Sequence, residues 1–278
     1  MKALSFVIDG RETWGVSDDR GIRELGAGAR ERFPDLRSAL AAGALESLAG
    51  AFESEPVDPA AVDFLPPVPS PGKILCVGVN YRPHIEEMGR EVPAHPVVFV
   101  RFADSVVGHG RALQHPSISE QYDFEGELAV IIGERAWRTT RDEAWGKVAG
   151  FTAFMDGSVR DWQQHTPQFT AGKNFRGSGA AGPWLVTRDE AGDVGELTLR
   201  TYVNGEEMQR GRIGELVFDI PALIEYCSSF AMLEPGDLIV TGTPGGVGAA
   251  RVPPRWLRPG DLVEVDLGVI GRLANPVT

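Results

Sequence analysis

The alternation of apolar and polar residues changes character once along the chain. In the first part, Asp9-Gly10 lies between two short segments within residues 3–16, which predicts a β-hairpin with its turn at that pair. Apolar residues then recur at helical spacing between residues 35 and 52, and this spacing predicts a helix. We therefore expect residues 1–70 to form a small N-terminal α+β lobe.

A proline-rich stretch over residues 56–72 follows this lobe. Because proline fixes φ and removes a hydrogen-bond donor, the stretch predicts an extended linker or a segment wrapped over the surface. We place the domain boundary here, with residues 71–278 forming the second and larger domain.

Short apolar segments separated by turns dominate this second domain. They predict strands at 73–79, 97–102, 124–133 and 198–203, and the pair Asn204-Gly205 predicts a hairpin. The two similar units 233–240 and 257–265 each predict a Pro-Gly turn that launches a strand. Helical patterns are fewer and fall at 140–147 and 220–230. Because regular helices do not separate the strands, the pattern predicts a mixed α+β fold, mostly β, built as a roll or barrel rather than a doubly wound sheet.

Charge and composition narrow the class of protein. The 278 residues include 27 Lys and Arg against 39 Asp and Glu, a net charge of −12, so a nucleic-acid partner is not expected. No apolar run approaches the roughly 18 residues of a membrane span, and the N-terminal apolar stretch is too short for a signal peptide. The two cysteines, Cys76 and Cys227, cannot build a disulfide framework. We predict a cytoplasmic protein with no membrane partner.

Two glutamates in the strand predicted at 124–133 carry candidate chemistry. Glu125 and Glu127 are two residues apart, so their side chains point to the same face, with backbones roughly 6.6 Å apart. Such carboxylates repel unless a cation lies between them. A solvated polar strand face is the alternative, which the apolar run after Glu127 disfavours.

Asp156 is a third candidate acid, because it ends an apolar stretch where a strand would give way to a loop. A turn or helix N-cap aspartate is the alternative interpretation. Three carboxylates without clustered His or Cys favour a hard cation, Mg²⁺ or alternatively Mn²⁺ or Ca²⁺, over Zn²⁺.

Several motifs then follow one another in a fixed order. They are Gly78-Val79-Asn80-Tyr81-Arg82-Pro83-His84, Asp123-Phe124-Glu125-Gly126-Glu127-Leu128, Asp156-Gly157-Ser158-Val159-Arg160-Asp161, Gly172-Lys173-Asn174-Phe175, Gly182-Pro183-Trp184-Leu185-Val186-Thr187 and Thr241-Gly242-Thr243-Pro244-Gly245-Gly246-Val247-Gly248. Together, over about residues 72–277, they resemble the fumarylacetoacetate hydrolase (FAH) family. The resemblance implies an FAH-type β-sandwich roll, a homodimer, and a metal held by Glu125, Glu127 and Asp156.

The resemblance also implies action on a small 2-oxo or 2,4-dioxo acid. The possible reactions are C–C hydrolysis of acylpyruvates, as in aromatic catabolism, decarboxylation of oxaloacetate-like acids, and keto–enol isomerisation. Lys173 would place a positive charge where an oxyanion develops, although a solvated lysine is the alternative. Arg160 and Gln163 could hold a substrate carboxylate, while an ion pair of Arg160 with Asp161 or another nearby acid is the alternative.

A histidine and a glutamate supply a candidate base. His84 and Glu87 are three residues apart, so on a short helix they share a face, and they match the His–Glu pair of the family. Glu87 could orient His84 and stabilise its cation; a surface histidine is the alternative. The Thr241–Gly248 loop lacks the Gly-Lys-Ser/Thr ending of a Walker loop, so we expect it to lend Thr243 and backbone N–H donors to a carboxylate.

The sequence therefore favours a divalent-metal-dependent hydrolase that cleaves a C–C bond in an acylpyruvate or related 2,4-dioxo acid. An oxaloacetate-type decarboxylase or a keto–enol isomerase of the same family is the alternative. From a different class, a non-catalytic protein that binds small acids is also possible. The His84–Glu87 pair favours hydrolysis because decarboxylation needs no nucleophilic water, yet the same pair could move a proton.

Overall fold

One large sheet, one four-stranded sheet and one short two-stranded sheet organise the described part of the chain. The computed structural model describes residues 1–48, 50–52 and 54–278. Its strands are β1 (Lys2–Ile8), β2 (Arg11–Asp18), β3 (Gly21–Glu24), β4 (Asp63–Phe64), β5 (Ile74–Gly78), β6 (Val97–Arg101), β7 (Val106–Val107), β8 (Tyr122–Asp123), β9 (Gly126–Ile132), β10 (Val148–Met155), β11 (Ser158–Val159), β12 (Gly179–Thr187), β13 (Thr198–Val203), β14 (Glu206–Arg212), β15 (Leu238–Val240), β16 (Leu262–Asp266) and β17 (Arg272–Pro276). Its α-helices are α1 (Ala27–Arg32), α2 (Leu36–Ala41), α3 (Arg82–Glu87), α4 (Arg160–Gln163), α5 (Thr170–Lys173), α6 (Arg188–Ala191) and α7 (Ile220–Phe230).

The large sheet has eleven strands and passes through the middle of the fold. Its spatial order is β3-β2-β1-β12-β10-β9-β15-β5-β6, with β4 paired to β1 and β7 paired to β12. Strand β9 lies near the centre, between β10 and β15, and all seven of its residues are buried. Any polar side chain that β9 carries is therefore held in the core, where it needs a partner.

A four-stranded sheet, in the order β14-β13-β16-β17, packs over β9, β10 and β12. Apolar side chains of both sheets form one core cluster, which includes Leu128 and Val130 of β9 and Val263 and Val265 of β16. The two layers of strands make the mixed, mostly β sandwich roll that the sequence predicts, and the fold class is confirmed.

The N-terminal hairpin forms as predicted, with β1 and β2 joined at Asp9 and Gly10, both of which have positive φ. Strand β1 also pairs with β12, with Ala3 opposite Leu185, so residues 1–70 share the large sheet with the rest of the chain. The proline-rich stretch supplies β4, which pairs with β1, and thus wraps onto the sheet. The domain boundary near residue 70 stays a prediction.

Two predicted helices are wrong in extent. In the region 35–52, an α-helix spans only Leu36–Ala41 and a 3₁₀ turn follows at Glu46–Leu48, whereas Ala49 lies outside the described residues. The helix ends there because Gly43 takes a left-handed φ of 60° and reverses the chain. In the region 140–147 only a 3₁₀ turn, Ala144–Lys147, forms before β10 begins.

The helix predicted at 220–230 is confirmed as α7, and its N-cap Asp219 accepts a hydrogen bond from the backbone N–H of Ala222. The strands predicted in the second domain form, but that predicted at 124–133 is shorter, since β9 begins at Gly126 and Glu125 precedes it. In the two units with a Pro-Gly turn, the strands are Leu238–Val240 and Leu262–Asp266, both after the turn. Within the described part of the chain, no helix is long and apolar enough to cross a membrane.

Candidate active site and metal centre

Three carboxylates meet where β9 and β10 run side by side. The strands are antiparallel with Glu127 opposite Phe154, and the backbone N–H of Asp156 donates to the carbonyl oxygen of Glu125 at 2.8 Å. This pairing brings Asp156, at the end of β10, beside the start of β9. One carboxylate oxygen each of Glu125, Glu127 and Asp156 lies within 4.8 Å of the others, and all three side chains are buried.

Close packing of the two sheets explains the glycine between the two glutamates. A Cβ at position 126 would lie 2.0 Å from Oγ1 of Thr201 on β13, so no larger residue fits. The backbone N–H of Gly126 donates to Oε1 of Gln209 on β14 at 2.9 Å. The smaller sheet therefore fixes the backbone from which the two carboxylates project.

Three buried cations surround these acids. Lys173 Nζ lies 2.5 Å from Oε2 of Glu125 and 2.6 Å from Oδ2 of Asp156. Arg101 Nη1 lies 2.6 Å from Oδ1 of Asp156. Arg160 Nε lies 2.8 Å from Oδ2 of the buried Asp123. Each cation is thus close to one or two carboxylates that are shielded from water.

Glu127 is different, because none of these cations touches it. Within residues 1–48, 50–52 and 54–278 its polar contact is the backbone N–H of Gly242, at 2.5 Å from Oε2. Burial, followed by the negative charges of Asp156 and Glu125, raises the pKa of Glu127 well above its usual range. The site thus has a carboxylate whose charge no side chain compensates.

This imbalance fits a divalent cation. Four buried carboxylates, those of Asp123, Glu125, Glu127 and Asp156, face three cationic side chains, so the cluster carries one net negative charge when all four acids are ionised. A cluster of hard oxygen donors without His or Cys suits Mg²⁺, Mn²⁺ or Ca²⁺. The residues present therefore fit a metal held by Glu125, Glu127 and Asp156.

The charges at the site control protonation. Burial raises the pKa of Glu125, but the charges of Arg160 and Lys173 lower it by more, so its pKa lies well below the usual range. Burial lowers the pKa of Lys173, but Asp156 and Glu125 raise it by more, so its pKa lies above the usual value. Lys173 is therefore an ammonium at neutral pH, and the solvated alternative is wrong because the side chain is 1% exposed.

Arg160 is held in place from two sides. Besides the bond to Asp123, its Nη1 donates to Oε1 of Gln163 at 2.9 Å. Its Nη2 lies 2.6 Å from Oε1 of Glu125, an ion-pair contact, but this buried nitrogen has no partner in hydrogen-bond geometry. The acids that pair with Arg160 are thus Asp123 and Glu125, whereas Asp161 accepts a hydrogen bond from Ser119.

His84 and Glu87 lie on α3 and contact each other. His84 Nδ1 is 2.8 Å from Oε1 of Glu87, and Oε2 of Glu87 accepts a hydrogen bond from the backbone N–H of Gly246 at 2.8 Å. His84 is 7% exposed, so it is a buried histidine with a carboxylate partner rather than a surface one. Because Nδ1 faces Glu87, Nε2 is the ring nitrogen left for another group.

The Thr241–Gly248 loop donates to carboxylates of the protein itself. Gly242 donates to Glu127, and Gly248 donates to Oδ1 of Asp123 at 2.8 Å. The Thr243 hydroxyl donates to the carbonyl oxygen of Gly126 at 2.9 Å and accepts from Gln209. The loop therefore ties together Glu127, Glu87 and Asp123, and its bound N–H groups are not free for a ligand.

One pocket connects these groups. Its wall includes His84, Glu125, Glu127, Arg160, Gln163, Lys173 and Thr243, together with Gly78, Met88, Arg90 and Phe169. A larger cavity lies elsewhere, beside Trp145 and Arg188, and does not include the three clustered carboxylates. The pocket that contains the acids, the cations and the histidine is the candidate active site.

Sequence reasoning missed three residues of this site. Arg101, Asp123 and Gln209 are buried and bind Asp156, Arg160 and Gly126, respectively. Arg101 had a usable signal, because it shares a strand face with Val97 and Phe99 and is thus an arginine on the apolar face of β6. Asp123 begins the motif that contains Glu125 and Glu127, but only the two glutamates of this motif were predicted as site residues.

Comparison with known proteins agrees with this geometry. The family described as fumarylacetoacetate (FAA) hydrolase C-terminal matches residues 73–278. Oxaloacetate tautomerase YisK of Bacillus subtilis (strain 168) is 41% identical over 215 residues, which cover 76% of this chain and 71% of that protein.

Solved structures agree as well. Fumarylacetoacetate hydrolase from psychrophilic Exiguobacterium antarcticum superposes with a TM-score of 0.84 at 32% identity, covering 100% of this chain and 99% of that one. Maleylpyruvate hydrolase from Sphingobium sp. SYK-6 gives 0.83 at 25% identity, with coverage of 100% and 99%. The chain therefore belongs to the fumarylacetoacetate hydrolase family.

Proposed function

We propose that this protein is a divalent-metal-dependent keto–enol tautomerase of oxaloacetate or a closely similar 2-oxo acid. The observation that carries the proposal is the position of His84, which pairs with Glu87 and lines the same pocket as the carboxylate cluster, Lys173 and Arg160. A group that moves a proton thus faces groups that bind an anion. The 41% identity to a protein named oxaloacetate tautomerase supports this reaction over the C–C hydrolysis that the sequence favoured.

The cationic side of the pocket binds the carboxylate of the substrate. Nη2 of Arg160 is buried and contacts Glu125 as an ion pair without hydrogen-bond geometry, so it can donate to one oxygen of a substrate carboxylate. Gln163 and Asp123 hold the guanidinium and so fix the direction of that donor. When bound by Glu125, Glu127 and Asp156, a divalent cation would supply a Lewis acid that polarises the 2-oxo group and stabilises negative charge on its oxygen.

His84 transfers the proton. The Nδ1–H donates to Glu87, so the lone pair of Nε2 can accept a proton from C3 of the keto acid. The C3–H electron pair then forms the C2–C3 double bond, and the carbonyl pair moves to oxygen. The imidazolium returns its proton to that oxygen, which yields the enol; the ammonium of Lys173 stabilises the negative charge meanwhile. No water is consumed, and each step is reversible.

Hydrolysis of an acylpyruvate is the second candidate. The His84–Glu87 pair could equally remove a proton from water, and a maleylpyruvate hydrolase shares the fold at 25% identity. Hydrolysis consumes water and releases two acids, whereas tautomerisation consumes no water and releases one.

The homodimer and the cytoplasmic location stay predictions of the sequence.

The products distinguish the three possible reactions. Purified protein with Mg²⁺ should accelerate the loss of enol absorbance when enol-oxaloacetate converts to the keto form. The same protein should form pyruvate from oxaloacetate no faster than Mg²⁺ without protein does. It should also leave acetylpyruvate intact. Rapid release of acetate and pyruvate from acetylpyruvate, without acceleration of the tautomer change, would overturn the proposal in favour of the hydrolase.

A further inference from the structure

One charged residue of the pocket has no place in this reaction scheme. Arg90 is exposed to solvent and also lines the pocket, so it lies at the rim rather than in the base. Within the described residues it forms no ion pair. Its guanidinium lies over the ring of Phe169, 5.4 Å from the ring centroid and so within the roughly 6 Å at which a cation and an aromatic ring attract each other. A cation is therefore fixed at the entrance without an anionic partner.

The end of α3 determines where Arg90 lies. Gly89 has a left-handed φ of 62° and donates its N–H to the carbonyl oxygen of Glu86, and the N–H of Arg90 donates to that of Ile85 at 2.9 Å. These two bonds form a Schellman motif, which reverses the chain after the helix. His84 and Arg90 thus belong to one short, hydrogen-bonded unit and reach the same pocket.

Aromatic packing fixes the other side of the guanidinium. Phe169 packs edge-to-face on Phe99, with ring centroids 5.7 Å apart, and its ring passes close to Gly78, where a Cβ would lie 3.4 Å from Cε2. Because Gly78 and Phe99 belong to β5 and β6, the large sheet supports the ring on which Arg90 stacks. A stacked guanidinium keeps its N–H edge free for an acceptor in the plane.

The charges of the site leave room for one more anion. A divalent cation would turn the single net negative charge of the buried cluster into a single positive charge, which one substrate carboxylate neutralises. A second carboxylate on the substrate would then need a cation of its own. The charges of Arg160 and Lys173 are already counted against the acids of the cluster, whereas Arg90 lies outside this balance and has no ion-pair partner among the described residues.

We propose that Arg90 recognises the distal carboxylate of the substrate, which makes the enzyme selective for 2-oxo dicarboxylic acids over 2-oxo monocarboxylic acids. This inference rests on the proposed function for the orientation of the substrate, with its 2-oxo acid end at Arg160 and the metal. Arg90 then acts as a specificity-determining residue that contacts the end of the substrate remote from the reacting carbons.

Binding affinity tests this inference and does not require a rate to be measured. Mg²⁺-saturated protein is titrated calorimetrically with oxaloacetate and with 2-oxobutanoate, in which a methyl group replaces the distal carboxylate. Arg82→Gln is the matched control, because Arg82 is an exposed arginine at the start of α3 and does not line the pocket. We expect wild type and Arg82→Gln to prefer oxaloacetate by roughly tenfold, the size of one charge-assisted hydrogen bond, and Arg90→Gln to lose that preference.

Two results would overturn the role of Arg90: wild-type protein that binds both acids equally, or Arg90→Gln that keeps the preference for oxaloacetate. Neither depends on catalysis. Failure of the proposed function has a different signature, since it would appear as unchanged enol conversion whatever the binding constants are.

Discussion

Arg101 Nη1 lies 2.6 Å from Oδ1 of Asp156, and both side chains are fully buried. The same guanidinium also donates to the carbonyl oxygens of Gly157 and Ser105 and to the hydroxyl of Ser178. Asp156 therefore keeps one oxygen on a structural arginine while the other faces Lys173 and the remaining acids. By holding one carboxylate oxygen, Arg101 fixes the orientation of Asp156, a candidate metal ligand.

Arg101→Met should destabilise the protein strongly. The substitution leaves the Asp156 carboxylate without its arginine in the core, and breaking one side of a buried ion pair costs about 3–5 kcal/mol. Urea unfolding measures this loss. Arg135→Met is the control, because its pair with Glu234 is exposed and should contribute less than about 1 kcal/mol. Similar losses for both variants would mean that Arg101 does not compensate the buried charge.

Glu127→Gln should separate metal binding from folding. The amide keeps the shape of the side chain but removes a ligand charge, so Mg²⁺ or Mn²⁺ affinity should fall by more than about 100-fold, beyond the effect of losing an outer partner. Without metal the variant should be at least as stable as wild type, because it removes a buried carboxylate that no side-chain cation compensates.

Calorimetric titration and thermal unfolding, with and without Mn²⁺, measure both effects. Saturating metal should raise the melting temperature of wild type and not that of Glu127→Gln. Glu134→Gln, a change to an exposed glutamate paired with Lys147, should behave as wild type. Undiminished Mn²⁺ binding by Glu127→Gln would exclude Glu127 as a ligand.

Two glycines of similar backbone conformation test the role of the loop. Gly246 and Gly260 have φ values of 101° and 95°, so alanine strains both backbones by about 1–2 kcal/mol. Only at Gly246 would the new Cβ meet a backbone oxygen, that of Met208 at 2.2 Å, which adds about 1–3 kcal/mol.

Gly246→Ala should also displace the N–H that holds Glu87 and thereby lower the turnover rate, whereas Gly260→Ala should leave that rate unchanged. Denaturant unfolding and enol conversion measure the two effects. If both variants lost equal stability and kept full activity, the loop would not position the dyad.

His84→Asn should lower the rate of enol conversion by about 10²- to 10⁴-fold, the usual contribution of a positioned acid–base group. Metal affinity should persist, because His84 belongs to α3 and the three acids do not. Glu87→Gln should follow more mildly, since an amide can still accept the Nδ1–H bond. His95→Asn is the control, because His95 is exposed and stacks on Tyr226. Equal rates in the His84 and His95 variants would make His84 structural only.

The sequence was sufficient to predict the pair of Glu125 and Glu127 and the pair of His84 and Glu87, because each depends on local spacing, whereas Asp156 was a candidate only from its place at the end of an apolar stretch. A period of two placed Glu125 and Glu127 on one side of a strand, and a separation of three placed Glu87 beside His84. The ion pair of Arg101 and Asp156 joins residues 55 apart in the chain, and no local period links them. Such a pair becomes visible only when the sheet order is known.

The helix predicted between residues 35 and 52 is wrong for a different reason, since here a local period is present but does not decide the backbone. Apolar spacing between residues 35 and 52 indicated a long helix, but the apolar side chains are buried equally well by a short helix followed by a turn. Leu36, Leu40, Leu45 and Leu48 all lie in one core cluster although Gly43 ends the helix between them. Burial explains the spacing of apolar residues, whereas the glycine decides the backbone.

The rate at which enol-oxaloacetate converts to the keto form is the measurement that tests the central claim most directly. Wild-type protein with Mg²⁺ should accelerate this conversion over the Mg²⁺ blank, and both chelation of the metal and Glu127→Gln should remove the acceleration. Conversion that is no faster than the blank, or acceleration that survives complete chelation, would contradict a metal-dependent tautomerase.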